Sequence, residues 1–233
     1  MTRSTQTNEA GRCAVLAPVL ASLPGPLYLI EVGASAGLCL YPDRYGYRYS
    51  VGSASIAVGD QGTCQIDCAV AGAGLPPGVP VIGERIGIDL NPLDAGDADT
   101  VAWLAALVWP GEEEREARLR RCCSAVAGWR PQLQRGDALQ ALPALLENVP
   151  SPMTPVVLHS AVLAYLGPQE RADFAAMVSA APAHWVSLEG AGVIDQVARR
   201  LPQDRPAAPH FVLALDGEPL AFAGQHGSWI QWL

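Results

Sequence analysis

An α/β fold on an open, mostly parallel sheet, in three layers with helices on both faces, is what the sequence predicts. Three observations carry this. Apolar strand-like runs alternate with helix-like stretches along most of the 233 residues. Those runs end in acids or in a glycine turn, as the carboxyl ends of parallel strands do when they hold a ligand. The last two apolar runs are split by Asp216-Gly217, a strong hairpin signal, so the sheet should close with antiparallel strands.

The elements follow in order. Residues 8–23 read as a helix with Leu16, Leu20 and Leu23 on one face, kinked at Pro18. Pro24-Gly25-Pro26 breaks it. Leu27 to Val32 reads as a buried strand and runs into Gly33-Ala34-Ser35-Ala36-Gly37, which should open a second, short helix. Residues 45–82 alternate Tyr45, Tyr47, Tyr49 and Val51 with other residues and repeat Gly, which predicts a β-hairpin insertion. One face of it, marked by the tyrosines, is a candidate surface for substrate or another subunit. Residues 85–89 form the next core strand. Helices are expected over 97–108 and 112–127, the second with Glu112, Glu113 and Glu114 at its start and Arg118, Arg120 and Arg121 later, a charge order that suits the helix dipole. A short strand at 132–137, a helix at 138–148, a strand at 155–160 and a helix at 168–180 follow. A strand at 184–189, a helix near 193–201 and the hairpin at 211–223 close the series, its last strand continuing through Trp229 to Trp232.

Composition excludes several functions. All 15 basic residues are Arg, so no lysine is present for a Schiff base or a phosphate loop. A net charge of −8 argues against general nucleic-acid binding. Half the residues are hydrophobic and 16% charged, which a disordered chain or a coiled coil does not show. The six Cys, at 13, 39, 64, 68, 122 and 123, do not read as a disulfide framework, and neither Cys64-x-x-x-Cys68 nor Cys122-Cys123 has the spacing of a zinc motif. The stretch after Arg3 and Arg12 reads as a first helix rather than a signal peptide, because Glu9 interrupts the basic region. No apolar run reaches the roughly 18 residues of a membrane span. The expected setting is cytoplasmic, with no membrane partner.

The glycine turn fits three readings. As a cofactor loop, Gly33, Ser35 and Gly37 let backbone approach a ligand while Glu31 meets a positive or hydroxyl group. As a nucleophile elbow, Gly-x-Ser-x-Gly would use Ser35, with Asp195 or Asp216 and His226 following in triad order. As a plain turn it would hold nothing. The elbow is disfavoured because it follows the first strand, because Glu31 stands where a hydrolase strand is apolar, and because Asp216 suits the hairpin turn.

The run Glu31 to Gly37 resembles the first motif of class I S-adenosylmethionine-dependent methyltransferases, an acid followed by Gly-x-Gly-x-Gly with Ser in the middle place. The resemblance implies a Rossmann-like methyltransferase sheet over about residues 27–233, with Glu31, Gly33, Ala34, Ser35 and Gly37 around the amino-acid end of S-adenosylmethionine. It further implies Asp89 on the ribose and Asp137 near the adenine. Asp89 comes 52 positions after Gly37, where a direct helical crossover would need about 20. Longer runs resemble an uncharacterised bacterial family, domain of unknown function number 2332: Thr5-Gln6-Thr7-Asn8-Glu9, Glu31 to Leu38, Asp43-Arg44-Tyr45, Gly87 to Asp94, Leu107-Val108-Trp109-Pro110 and His159 to Tyr165. This likeness implies a further amino-terminal family segment, which this chain is expected to lack because it begins almost at that run, and it names no activity.

His159 ends the fourth parallel strand, where a general base would face a methyl acceptor; alternatively it is a strand-end histidine held by hydrogen bonds. Ser160 and Tyr165 are polar neighbours. Asn91 and Asp94 read as turn or cap residues before ligand contacts. Asn8, Glu9 and Arg12 are caps and surface charge, or a lid over the cofactor. Trp103, Trp109 and Trp129 read as core or interface. The expected function is methyl transfer from S-adenosylmethionine to an unidentified acceptor, with a cofactor-binding or scaffold module and a Ser35 hydrolase as alternatives.

Overall fold

In the computed structural model, which describes residues 6–233, the chain first forms α1 (Cys13–Ser22) and β1 (Leu27–Val32). Thr5 and Arg3 lie outside the described residues. Then come β2 (Gly46–Val51), β3 (Ala54–Gly59), β4 (Gln65–Ala71) and β5 (Ile82–Asp89). They are followed by α2 (Ala98–Ala106), α3 (Glu113–Trp129), β6 (Leu133–Arg135), α4 (Ala138–Glu147), β7 (Thr154–Ser160), α5 (Pro168–Ala180), β8 (His184–Gly190) and α6 (Asp195–Ala198). The chain closes with β9 (Phe211–Leu215), β10 (Glu218–Ala223) and β11 (Trp229–Trp232).

All strands join one sheet of order β3-β2-β4-β11-β10-β9-β8-β7-β1-β5-β6. The block β6-β5-β1-β7-β8 is parallel throughout. From β1 the chain goes to β5 and β6 on one side, then to β7 and β8 on the other, so the order reverses between β1 and β7. Such a reversal marks the point at the strands' carboxyl ends where ligands of open α/β sheets sit. β8, β9, β10 and β11 then run antiparallel, with Asp216-Gly217 turning the β9–β10 hairpin at positive φ.

Alternation along the strands sorts the core into two layers. Leu27 and Leu29 face α1, α2 and α3; Tyr28, Ile30 and Val32 face α4, α5 and α6. Every residue from Cys13 to Leu20 is buried, so α1 is covered all round, and Pro18 is accommodated within it.

The insertion is larger than a hairpin and differently placed. β2 and β3 form the hairpin, but β4 pairs parallel to both β2 and β11, so the three strands extend the main sheet at its far edge. This accounts for the long interval before Asp89: the connection from β1 to β5 is made by these strands, with no long helix. The expected helix after Gly37 is only a 3-10 turn, Leu38–Leu40, and α6 covers four residues where 193–201 was expected.

The tyrosines also differ from expectation. Tyr45, Tyr47 and Tyr49 are buried, and their hydroxyls donate to the carbonyls of Leu38, Pro42 and Ala14. They face the sheet's own core, so they offer no surface to a substrate or subunit. The cysteine reading is corrected as well. Cys64, just before β4, is disulfide-bonded to Cys122 of α3, a pairing that sequence spacing conceals because the partners lie 58 positions apart.

Candidate functional site

Glu31, Asp89, His159 and Glu189 sit at the carboxyl ends of β1, β5, β7 and β8. The pleat divides them. Glu31 points to the α1 side, where burial raises its carboxyl well above the usual range. The Cys39 thiol and the Asp89 carboxylate add to this, and Arg12 opposes them. Its Oε2 is buried with no hydrogen-bond partner among the described residues.

The turn after β1 is tight because three of its residues take positive φ: Gly33 at 73°, Ser35 at 51° and Gly37 at 75°. A side chain at Gly33 would place its Cβ 2.3 Å from Val162 Cγ2, so glycine there serves packing as well as conformation. All five amides of the turn are bonded within the chain. Gly33 and Ala34 N–H donate to Ile88 O (2.8 and 3.2 Å), and Gly37 N–H donates to Ala34 O (2.7 Å). Ser35 N–H donates to Asp89 Oδ2 (2.8 Å), and Ala36 N–H donates to Asn8 Oδ1 (2.9 Å).

Asp89 is therefore a clasp. Besides Ser35 it accepts Asn91 N–H (2.7 Å) and Gln6 Nε2 (3.3 Å) at Oδ1. The segment before the first helix closes over the turn from the other side. Asn8 Nδ2 donates to Ser35 Oγ (2.7 Å), and Gln6 also reaches Asn91 O (3.2 Å). Of the residues considered for a lid, Asn8 meets the turn directly. Arg12 instead donates to Ser160 O and Oγ (3.1 and 3.0 Å), and Glu9 turns away to Arg115 and Arg118 of α3.

His159 lies on the opposite face, fully buried, with both ring nitrogens engaged. Trp185 Nε1 donates to its Nε2 (2.8 Å), which makes Nε2 an acceptor and leaves Nδ1 to donate to Glu189 Oε1 (2.7 Å). Glu189 Oε1 also accepts the amides of Val162 (2.9 Å) and Leu163 (3.0 Å), while its Oε2 is buried without a partner among the described residues. The ring thus reaches, through Glu189, the loop whose Val162 packs on Gly33. Sequence order alone concealed this hub, although His159 and Glu189 were both visible as ends of neighbouring strands.

Asp137 caps α4 by accepting Gln140 N–H (3.3 Å), beside Gly136 N–H, which donates to Asp89 O (2.9 Å). Asn91 Oδ1 accepts Arg135, and Asp94 accepts Gly96 N–H, as turn residues do. Trp129 stacks on Tyr41 and Tyr45, whereas Trp109 and Tyr165 are exposed. Asp216 accepts Trp185 N–H at the start of β8, the opposite end of the sheet from Ser35, and His226 stands 3.9 Å from Glu9. A groove of about 390 Å³ lined by Leu163, Arg171, Ile194 and Arg199 lies between α5 and α6, and no residue of the glycine turn lines it.

The family described as "Uncharacterized protein conserved in bacteria (DUF2332)" matches residues 1–232. The chain belongs to that family. No curated protein and no solved structure matches it. Within this DUF2332 chain the long runs that carried the resemblance converge in space. Gln6, Asn8, the glycine turn and Asp89 to Asn91 are hydrogen-bonded to one another at the carboxyl ends of the parallel strands, and the loop after His159 meets them through Val162 packed against Gly33. No helix of the described residues is long and apolar enough to cross a membrane.

Proposed function

We propose that the chain binds S-adenosylmethionine in the crevice between β1 and β7 and transfers its methyl group to an acceptor. One observation carries this reading: the buried Oε2 of Glu31 at the end of β1, without a partner among the described residues, beside the tight turn made by Gly33 and Gly37. An ionised carboxylate oxygen without a donor is costly, and an ammonium group satisfies it. The cofactor, when bound, supplies an electrophilic methyl on a sulfonium. Glu31 would hold its amino group, and Gly33, Ala34, Ser35 and Gly37 would pass close to its amino-acid end. Asp89 would take ribose hydroxyls after release from Gln6, and Asp137 would stand toward the adenine. His159, with both nitrogens engaged, acts here as a positioning residue that sets the 161–163 loop through Glu189.

The residues fit the cofactor at Glu31 and require one rearrangement: Gln6 and Asn8 must leave the turn. A scaffold that keeps this fold without a ligand is the second reading, favoured by the five amides already bonded within the chain. Calorimetric titration with S-adenosylhomocysteine separates the two. Saturable binding by the wild type, weakened at least tenfold in Glu31→Gln, is expected for loss of a charge-assisted contact of roughly 1.5–3 kcal/mol. No binding by the folded wild type overturns the proposal. Gly33→Asp is a second variant expected to abolish binding, read together with circular dichroism because its Cβ meets Val162.

A further inference from the structure

The sheet's two outer strands are defended differently. β6 is three residues long, and its Arg135 folds back onto Leu90 O and Asn91 Oδ1. β3 has six residues, Ala54-Ser55-Ile56-Ala57-Val58-Gly59, with no charge and no proline, and its register with β2 is regular. Among the described residues it pairs with β2 alone. Long, neutral, regular edges are the ones that recruit another strand.

Its outward groups follow from the hairpin. A two-residue turn, Gly52-Ser53, joins β2 to β3, and its closing pair Val51–Ala54 directs hydrogen-bonding groups inward. Alternation then turns the backbone of Ile56 and Val58 toward β2 and that of Ser55 and Ala57 outward. Side chains point to the same conclusion. Ile56 pairs with Tyr49 and shares its face; Tyr49 is 1% exposed, Ile56 40%, and Val51 on that face 39%. The apolar layer over α1 runs off the sheet at these residues.

We propose that β3 pairs with β3 of a second copy of this chain, antiparallel, about a two-fold axis at Ile56. Ser55 then faces Ala57 of the other copy twice over, giving four main-chain hydrogen bonds, and the two Ile56 side chains meet in the close, non-hydrogen-bonded pair. Three features select a second copy in this orientation. The strand has no charge, so identical strands oppose no like charges. The antiparallel arrangement sets the two Asp60 carboxylates, just past β3, about 26 Å apart, where a parallel one would stack them. A two-fold contact satisfies both edges at once and closes.

Light scattering across a dilution series tests this. The wild type should show twice the 24.5 kDa chain mass at high concentration. Ile56→Lys, exposed and therefore compatible with the fold, should weaken association about tenfold or more by setting like charges opposite each other. Ile56→Cys should form an oxidised dimer on a non-reducing gel, while Ala54→Cys, four positions out of register with its own copy, should not. A wild-type monomer throughout overturns the proposal. So does a dimer that Ile56→Lys leaves intact, or one that Ala54→Cys links as readily. Should Ile56→Lys prove unfolded by circular dichroism, the pair of cysteine variants decides.

Discussion

Glu9 and Glu31 are both buried, 4% and 5% exposed, and both stand near the start of α1, yet their surroundings are opposite. Glu9 accepts Gly11 N–H (2.8 Å), Arg115 Nε (2.7 Å) and Arg118 Nη2 (3.0 Å). Glu31 has Arg12 as a compensating charge and one oxygen without a partner among the described residues. A buried carboxylate whose lone pairs are filled by guanidinium and amide donors is architecture: it ties the first turn to α3. One left without a partner among the described residues is where a cation from a ligand would fit.

The largest effect should come from breaking the filled site. Glu9→Gln removes the charge shared by two mostly buried arginines. It should destabilise the protein by about 3 kcal/mol, read from the denaturant midpoint at constant slope. A change under about 1 kcal/mol would mean that solvent already satisfies Arg115 and Arg118, and Glu9 would no longer serve as the saturated reference.

Glu31→Gln should act in the other direction, with a defined pH dependence. The folded protein holds the Glu31 proton more tightly than the unfolded chain, chiefly through burial. The favourable contribution is therefore full below the unfolded carboxyl's value, about 4.3, and is lost as pH rises through the higher folded value. Glutamine carries no such loss. The variant should gain stability over the wild type on going from pH 4 to pH 8, ending about 1 kcal/mol ahead. A stability difference that does not change with pH would mean that Glu31 is satisfied after all, and the contrast with Glu9 would disappear.

Much of this architecture was legible in the sequence, for local reasons. Leu27 to Ile30 is a continuous apolar run, Asp216-Gly217 fixes its turn by backbone preference, and Asp97 and Asp137 cap the helices after them through short-range bonds. What failed depends on distant partners. Tyr45, Tyr47 and Tyr49 alternate as any half-exposed strand would, and distant partners bury them, Ala14 of α1 beside Tyr49 and Trp129 of α3 beside Tyr45. Cys64 finds Cys122 because β4 lies against α3, a packing that spacing does not encode. The site is intermediate. Glu31, the glycines and Asp89 could be picked out by type and place, but Asp89's engagement with Gln6 and Ser35 depends on where residues 6–8 fold back.

That fold-back gives the smallest expected effect and the finest discrimination. Asn8 spends its amide on Ser35 Oγ and Ala36 N–H, two groups of the turn beside Glu31. Asn8→Ala should cost about 1 kcal/mol of stability, since the freed groups become accessible to water. The same free energy reappears in binding if a ligand must displace Asn8. S-adenosylhomocysteine should then bind the variant up to about fivefold tighter than the wild type. Weaker binding would make Asn8 part of the bound site. Unchanged binding, with Glu31→Gln still impaired, would show that the ligand meets the carboxylate without using the turn's amides, and the bare oxygen alone would then distinguish Glu31 from Glu9.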